Sequence, residues 1–279
     1  MPQHMSDSSN DHIAFIGGGN MASALIGGLL KRGLPSSRIQ VIEPFAEQRT
    51  KLAQQFGVEV STAPGKALQR ATLVVWAVKP QTFRDAAAQS FAYTQGALHL
   101  SVAAGIRSDT LAGWLETERI VRAMPNTPAL IGQGMTALFA RPAASAADRL
   151  AVEQVVQTTG AYLWLDQEQQ LDAVTALSGS GPAYVFYFIE AMVQAGTEMG
   201  LSPEQAHQLA IGTFVGASAL AREATEPPEV LRGRVTSKGG TTYAALTSME
   251  ESGIKPSIIQ AIHAARLRAS EMGDEFGAS

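Results

Sequence analysis

The sequence predicts an α/β domain followed by an all-helical domain, and three observations lead to that prediction. In the amino-terminal half, short apolar runs alternate with segments whose apolar residues recur at helical spacing. A glycine-rich turn joins the first apolar run to the first helical segment. From about Gln167 onward the pattern is helical throughout, so no further strand is expected there.

Composition narrows the class of function. The chain has 279 residues, 46% of them hydrophobic, which suits about two domains with sizeable cores. Its formal net charge of -4 provides no basic field to attract nucleic acid or an anionic membrane. It contains no cysteine, which excludes disulfides, thiolate nucleophiles and cysteine metal sites and fits a cytoplasmic protein. We therefore expect small-molecule chemistry.

The amino terminus gives no targeting signal. Residues Met1–Asn10 are polar and lack the apolar run of a secretory signal, so we expect no export by that route. His4-Met5 is what a common cloning junction encodes, so we expect Met1–His4 to be a cloning remnant and Met5 to be the natural start, and Met1–His4 are left out of the fold prediction. No apolar run approaches the roughly 20 uncharged residues that cross a bilayer, so a soluble protein is expected.

The first half is expected to form three strand–helix pairs. These are His12–Ile16 with Met21–Leu30, Ile39–Ile42 with Ala46–Phe56, and Leu73–Val78 with Phe83–Phe91. Further strands are predicted at Leu98–Ala103, Ile120–Ala123, Thr136–Phe139 and Tyr162–Leu165. Unbroken apolar runs such as Leu73–Val78 favour a parallel sheet that is covered on both faces.

Helix-start signals punctuate the second half. Ser202 and Gln205 fit a capping box, and Pro227-Pro228 and Lys255-Pro256 are expected to open two more helices. The change of pattern near Leu165 to Gln167 predicts one domain over residues 11–165 and a second over residues 166–279.

The first strand runs into the pattern G-x-G-x-x-A at Gly17–Ala22, and an apolar-periodic helix follows. In this pattern Gly17 permits a tight turn, and Gly19 leaves no side chain between the backbone and a pyrophosphate. The helix amino terminus would then meet the phosphates with free N–H groups and its positive dipole end. We interpret the amino-terminal domain as a Rossmann domain that binds a nicotinamide dinucleotide. An ordinary glycine turn is the alternative.

Glu43 ends the second strand about 20 residues after the glycine loop, where a carboxylate commonly accepts hydrogen bonds from the adenosine ribose. That position argues for NADH, because a 2'-phosphate there would face a like charge. Arg49, a turn or two onward, could accommodate the phosphate, so NADPH or NADH remains open. A solvated glutamate before Pro44 is the alternative interpretation.

Several catalytic classes are disfavoured by what the sequence lacks. None of the six lysines lies between Lys79 and Lys238, whereas a β-hydroxyacid dehydrogenase of similar plan would carry one on the first long helix of its second domain. The five histidines have no metal-ligand spacing and no serine–aspartate arrangement, so they are expected to be surface or core residues. The remaining chemistry is hydride transfer to a substrate that needs little acid–base help, such as an imine.

A second glycine-rich segment, Val235–Thr242, leads into the predicted helix of Tyr243 to Glu250. Backbone N–H groups, hydroxyls and a helix dipole make it a candidate site for a carboxylate. An ordinary turn with a threonine N-cap is the alternative.

Taken together, the motifs resemble those of the pyrroline-5-carboxylate reductases, which make the last step of proline synthesis. The matching segments are Phe15–Met21, Ala77–Pro80, Met124–Pro128, Leu177–Tyr184, and Val235–Thr242 followed by Ala245-Leu246. The resemblance implies reduction of 1-pyrroline-5-carboxylate to L-proline by NADPH or NADH. It also implies a homodimer with swapped helical domains that can assemble into a higher ring such as a decamer.

The resemblance also implies residue roles. Thr242 would be catalytic, with its hydroxyl near the ring nitrogen, where it orients the imine or relays a proton. The substrate carboxylate would be bound by Ser237, Gly239, Gly240 and Thr241, beside Thr242. A role for the charge of Lys238 in attracting that carboxylate is a hypothesis, because the position often carries another residue in the family. The cofactor would be bound by Gly17, Gly19, Asn20, Met21, Glu43, Val78, Lys79, Pro80, Ala103, Ala104, Gly105, Met124, Pro125 and Asn126.

Self-association is also expected from the residues alone. Ala183–Met192 and Leu209–Leu220 are apolar around much of the helix, which leaves surface for a partner to cover. A compact monomeric bundle is the alternative. Two other functions stay open: a related imine or hydroxyacid reductase, and a regulatory or scaffold protein that kept the dinucleotide fold and lost turnover.

Overall fold

The computed structural model describes residues 12–277. Predictions about Met1–His4 and about domain limits at residues 11 and 279 lie outside this range. The chain forms two compact units. Within the described range, the first comprises residues 12–180 and 265–277, and the second is Gly181–Ala264.

The first unit is built on an eight-stranded sheet in the order β3-β2-β1-β4-β5-β6-β7-β8. Neighbouring strands are parallel except for β6 and β7, so the predicted parallel α/β domain is confirmed. The strands are β1 (Ile13–Ile16), β2 (Ile39–Ile42), β3 (Glu59–Ser61), β4 (Leu73–Trp76), β5 (Leu98–Ser101), β6 (Ile120–Met124), β7 (Gly134–Ala140) and β8 (Gly160–Trp164).

Two features of the sheet were not predicted. Strand β3 has three half-exposed or exposed residues, too few for an apolar pattern to reveal it. The antiparallel pairing of β6 and β7 follows from their short connection, a 3₁₀ turn at Thr127–Ile131 that ends at Gly132. A parallel crossover needs a dozen or more residues, and this connection is shorter.

Helices cover both faces of the sheet, as predicted. On one face Phe15 of β1 packs with Leu25 and Leu29, and on the other Ile16 packs in a cluster with Trp76 and Phe83. The helices of the first unit are α1 (Asn20–Lys31), α2 (Ala46–Phe56), α3 (Pro80–Thr94), α4 (Ser108–Leu115), α5 (Ala146–Val156) and α6 (Gln170–Val174). A π-helical turn at Thr175–Gly179 follows α6.

The segment after the last strand remains attached to the first unit. Glu168 accepts hydrogen bonds from the backbone N–H and the hydroxyl of Ser108, and it pairs with Arg122. The boundary between the compact units, after Ser180, therefore lies beyond the change in sequence pattern near Leu165 to Gln167. The reason is that side chains after the pattern change, such as Glu168, still contact the first unit.

The second unit is helical. It contains α7 (Gly181–Glu198), α8 (Pro203–Glu223), α9 (Pro228–Arg234), α10 (Thr241–Glu251) and the first part of α11 (Ile254–Gly277). The predicted capping box at the start of α8 is present: Gln205 N–H donates to the Ser202 hydroxyl at 3.2 Å, and Ser202 N–H donates to the Gln205 side chain at 2.9 Å.

The second unit exposes large apolar side chains in the single chain. Four of these side chains are more than half exposed: Phe186, Tyr187, Val215 and Leu220. They lie in the two helices whose apolar pattern predicts a surface for a partner to cover. The helices of this unit thus do not bury these side chains among themselves, as a compact monomeric bundle would require. Within the described part of the chain, no helix combines the length and apolar character needed to cross a membrane.

Candidate active site

The carboxyl edge of the sheet brings three predicted cofactor segments together. The loops after β1, β4 and β5 are joined by backbone hydrogen bonds: Gly17 N–H donates to Ile42 at 2.9 Å, Ala77 N–H to Ile16 at 2.8 Å, and Val102 N–H to Trp76 at 3.1 Å. In open parallel sheets, this edge is where ligands bind.

Gly17 makes the tight turn that the motif predicts. Its φ is +95°, and a Cβ at this position would lie 2.6 Å from the Ala77 carbonyl oxygen. An L-residue would be strained there and would collide with backbone. Gly17 therefore allows the loop after β1 to approach the loop after β4.

Gly19 differs from Gly17, because its surroundings are open. It is the N-cap of α1, no side chain caps that helix, and a Cβ at Gly19 would have no neighbour within 4 Å. The N–H groups of the first turn, which begins with Asn20 and Met21, are thus left without a side-chain partner. Space, free donors and the positive end of the dipole fit a dinucleotide pyrophosphate.

Glu43 is buried, so the solvated alternative is wrong. Its side chain accepts hydrogen bonds from Gly18 N–H and Phe45 N–H, each at 2.9 Å, and the residue is 6% exposed. Arg49 donates to the backbone carbonyls of Glu43 and Pro44, at 3.1 and 2.6 Å. The carboxylate thus ties the glycine loop to the end of β2, a role that the sequence pattern did not reveal.

The sequence analysis also did not predict the close packing around Gly18, the glycine between the two motif positions. A Cβ at Gly18 would lie 2.5 Å from Leu52 Cδ1 and 3.2 Å from the Glu43 carboxylate. Three consecutive glycines were the available signal, although the motif G-x-G leaves the middle residue unspecified.

Two motifs far apart in sequence meet beside β6. Asn126 accepts a hydrogen bond from Met135 N–H at 2.9 Å and donates to the Ser178 hydroxyl at 3.2 Å. A Cβ at Gly179 would lie 2.4 Å from Met124 Cε. The π-helical turn therefore packs against the Met124–Asn126 segment, and a side chain at residue 179 would have to displace the end of the Met124 side chain.

The other predicted cofactor residues lie in the same loops. Lys79 is the N-cap of α3, and Pro80 is its first residue. Val78 contacts the glycine turn, because its Cγ1 lies 3.0 Å from the Cβ position of Gly17. Ala103 N–H donates to the Ser101 hydroxyl at 3.3 Å, which shapes the loop after β5.

His99 lies in the core, which is one of the two environments, surface or core, that the sequence predicts for the histidines. The Trp76 indole N–H donates to its Nδ1 at 2.9 Å. Burial lowers the pKa of His99 to about 4, so the ring is neutral near pH 7. Among residues 12–277, no group of three or more histidine and acidic side chains could hold a metal ion.

In the second unit, the glycine-rich turn precedes α10. Gly239 has a φ of +76°, and Gly240 N–H donates to the Ser237 carbonyl at 3.0 Å. Gly240 is the N-cap, Thr241 begins the helix, and no side chain caps it, so the alternative of a threonine N-cap is wrong. Thr242 follows in the first turn and is partly buried. The Gly240 N–H is thus occupied within the turn, and the N–H groups at the start of α10 are the candidate donors to a carboxylate.

The open space and free N–H groups at Gly19 form a cradle at the carboxyl edge of the sheet. Together with the fold, this cradle defines a dinucleotide-dependent oxidoreductase of the Rossmann class. Residues 12–105 match the family described as "NADP oxidoreductase coenzyme F420-dependent", and residues 168–272 match "Pyrroline-5-carboxylate reductase dimerisation". The chain belongs to the pyrroline-5-carboxylate reductase family. A relative from Pseudomonas aeruginosa with that name is 44% identical, over 96% of this chain and 99% of its own.

Solved structures agree with this assignment. A pyrroline-5-carboxylate reductase from Coxiella burnetii is 34% identical, with a TM-score of 0.88 over 94% of this chain and 98% of its own. A Plasmodium falciparum pyrroline carboxylate reductase with NADP bound is 27% identical, with a TM-score of 0.85 over 95% and 98%. The protein is an NAD(P)H-dependent oxidoreductase, and its dimerisation domain indicates a homo-oligomer.

Replacing Glu43 with Ser is expected to shift coenzyme preference toward NADPH. The change removes the negative charge that a 2'-phosphate would face. Loss of the hydrogen bonds to Gly18 and Phe45 should weaken the binding of both nucleotides. We expect the ratio of the NADPH and NADH dissociation constants to change by about threefold or more. Fluorescence titration with each nucleotide measures it. Glu47→Ser, an exposed charge in the first turn of α2, is the matched control, and an equal shift in both variants would contradict the prediction.

Proposed function

We propose that this chain reduces 1-pyrroline-5-carboxylate to L-proline with NADPH or NADH. The observation that carries the redox part is the open cradle at Gly19, where an uncapped helix begins at the carboxyl edge of a parallel sheet. The substrate class is supported by near-full-length relatives named for this activity. The carbon of the C=N bond gains a hydride and the ring nitrogen gains a proton, which leaves a secondary amine.

The residues at the carboxyl edge would hold the cofactor. In this proposal, Gly17 and Gly19 admit the pyrophosphate, and Glu43 both keeps the loop in place and faces the adenosine ribose. When bound, the reduced nucleotide supplies the hydride. The remaining cofactor residues line the loops after β1, β4, β5 and β6: Asn20, Met21, Val78, Lys79, Pro80, Ala103, Ala104, Gly105, Met124, Pro125 and Asn126.

The turn before α10 would hold the substrate carboxylate. In this proposal Ser237, Gly239, Gly240 and Thr241 form the binding turn at the positive end of the helix dipole. Ser237 and Thr241 supply hydroxyls, and the backbone N–H groups of the turn other than that of Gly240, which donates to the Ser237 carbonyl, are the candidate donors. Lys238 adds a positive charge that attracts the anion. The imine is electrophilic once protonated, so the protein mainly has to orient it and hold its charged group.

Thr242 would act at the ring nitrogen. Its hydroxyl can both donate and accept a hydrogen bond, which allows it to orient the imine or to relay the proton that the product nitrogen gains.

The finer organisation is also proposed. Exposed apolar side chains of the second unit, such as Phe186 and Leu220, support self-association. From the family resemblance we further propose a dimer with swapped helical domains and a higher ring such as a decamer. We keep residues 11–165 and 166–279 as the functional division between cofactor and substrate domains. A cytoplasmic location fits the use of reduced nicotinamide nucleotides.

The direct test is an assay of the purified protein. With 1-pyrroline-5-carboxylate present, absorbance of NADPH or NADH should fall and L-proline should accumulate in equal amount. A folded protein that turns over with neither nucleotide would reject the enzymatic proposal in favour of a regulatory or scaffold protein. A protein that oxidises the nucleotide only with other imines or with hydroxyacid partners would support the related reductases instead.

Replacing Thr242 with Ala is expected to lower kcat by at least about tenfold, because the hydroxyl that orients or protonates the imine is lost. The dissociation constant for the nucleotide should stay within about twofold, since Thr242 is not assigned to the cofactor. Steady-state kinetics and nucleotide titration measure the two quantities. Thr247→Ala on the same helix is the matched control. Equal losses of turnover and nucleotide affinity in Thr242→Ala would show a structural role instead.

A further inference from the structure

The loop after β5 packs closely against the end of α11. Gly105 has a φ of +74°, and a Cβ there would lie 3.1 Å from Met272 Cβ and 3.6 Å from the ring of Phe276. An L-residue at this position would be strained by the positive φ, and its Cβ would require Met272 to move by a few tenths of an ångström. The close approach therefore depends on glycine in the loop.

Arg107 makes the polar part of the same contact. Its Nη2 donates to the Asp274 carboxylate at 2.9 Å and to the Ser270 carbonyl at 3.4 Å, and its Nη1 lies 3.9 Å from the Asp172 carboxylate. A Cβ at Gly273 would lie 3.0 Å from the guanidinium group. The side chain of Arg107 thus lies directly against the helix backbone.

The end of α11 is anchored in the first unit. Phe276 packs against the apolar cluster that contains Trp76 and Phe83, while Ala269 and Gly273 are buried. These last turns of α11 therefore pack as part of the first compact unit.

The supported loop carries residues assigned to the cofactor. Ala103–Gly105 follow β5 at the carboxyl edge, and Val102 N–H is bonded to the end of β4. Segments outside regular helices and strands open more readily than the sheet, so the contacts made by this loop influence how often the binding conformation is present. Apparent affinity falls in proportion to the population of that conformation.

We propose that the last turns of α11 hold Ala103–Gly105 in the conformation that binds the cofactor, with Arg107 as the positioning residue. The proposal rests on the assignment of this loop to the cofactor under the proposed function. It makes the carboxyl-terminal helix a determinant of nucleotide affinity, although no residue of that helix is assigned to the nucleotide.

Charge reversal at neighbouring positions of α11 tests the proposal. Asp274→Arg places a second cation against Arg107, whereas Glu275→Arg makes the same change in charge at a neighbouring residue that pairs with Arg268 instead. Both acidic side chains are exposed, so the two variants differ in the partner that they affect. Two quantities are measured: amide hydrogen exchange of residues 102–107 in the nucleotide-free protein, and the dissociation constants for NADH and NADPH. Asp274→Asn keeps an acceptor for Arg107 and serves as the conservative variant.

We expect Asp274→Arg to speed exchange in the loop and to raise the dissociation constants about threefold to tenfold. Glu275→Arg and Asp274→Asn should stay within about twofold of the unchanged protein. Met272→Ala removes the apolar contact at Gly105, so it should also speed exchange in the loop and raise the dissociation constants. It is the test variant if Asp274→Arg does not fold.

Equal affinities in Asp274→Arg and Glu275→Arg would overturn the proposal. So would faster exchange of the loop without any change in affinity, because the loop would then be supported by α11 but unconnected to the nucleotide. A failure of the unchanged protein to bind either nucleotide is a different result: it would reject the proposed function, and it is recognised before any variant is made.

Discussion

Replacing Gly19 with Val is expected to raise the dissociation constants for NADH and NADPH at least about tenfold, which corresponds to about 1.4 kcal/mol. The position is open in the protein, with no atom within 4 Å of a Cβ, so the side chain itself meets no obstacle. It would instead occupy the space in which the pyrophosphate approaches the backbone of the glycine loop. The free energy of unfolding without nucleotide should change by less than about 1 kcal/mol.

This combination separates a cofactor cradle from an ordinary glycine turn. Fluorescence titration measures the affinity, and thermal unfolding without nucleotide measures the stability. Gly113→Val in α4 is the matched control, because that glycine also has no neighbour within 4 Å of its Cβ position but is not assigned to the cofactor. Unchanged affinity in Gly19→Val would mean that the turn after β1 does not receive the pyrophosphate.

Replacing Glu168 with Ala is expected to destabilise the protein by about 3–5 kcal/mol. The side chain of Arg122 is 7% exposed and pairs with Glu168 at 2.6 Å, and among the described residues its Nε has no hydrogen-bond partner. Burial lowers the pKa of Arg122 below its ordinary value, and the Glu168 carboxylate opposes that shift. Removing the carboxylate leaves the buried cation without its hydrogen-bonded partner and also removes the acceptor for Ser108 at the start of α4.

Urea unfolding at one fixed protein concentration measures this change, since self-association makes apparent stability depend on concentration. Glu118→Ala breaks a more exposed pair with Arg141 and should lower the free energy of unfolding by about 1 kcal/mol or less. Combining Glu168→Ala with Arg122→Met should recover a large part of the loss, because the buried charge is then gone as well. If Glu168→Ala were no more destabilising than Glu118→Ala, Arg122 would not depend on this partner.

Glu43 illustrates where prediction from the sequence was sufficient and where it was not. Its place at the end of β2 followed from the apolar run before it and from the spacing after the glycine loop. Its hydrogen bonds to Gly18 and Phe45 depend on the side-chain conformation, which no periodicity encodes. The spacing therefore located the residue, but the structure revealed that it also holds the loop.

The network around Glu168 illustrates a limit of pattern reading. Ser108, Arg122 and Glu168 lie in three separate segments, and each looks like an ordinary polar residue in its own neighbourhood. Their meeting beneath α4 depends on the order of the strands and on the path of the chain after β8. The same reason explains why the end of α11, which looks like a plain amphipathic helix, was not associated with the loop after β5.

Local periodicity and short motifs were enough to predict the alternating α/β half, the turn at Gly17 and Gly19, the helical second half and its apolar surface. These properties arise between residues close in sequence, since backbone conformation and amphipathic pattern are local. The buried Arg122–Glu168 pair and the contact of Arg107 with α11 became visible in the folded chain alone. Each of them joins distant segments, and such pairings are set by packing of the whole sheet and its helices rather than by any one stretch of sequence.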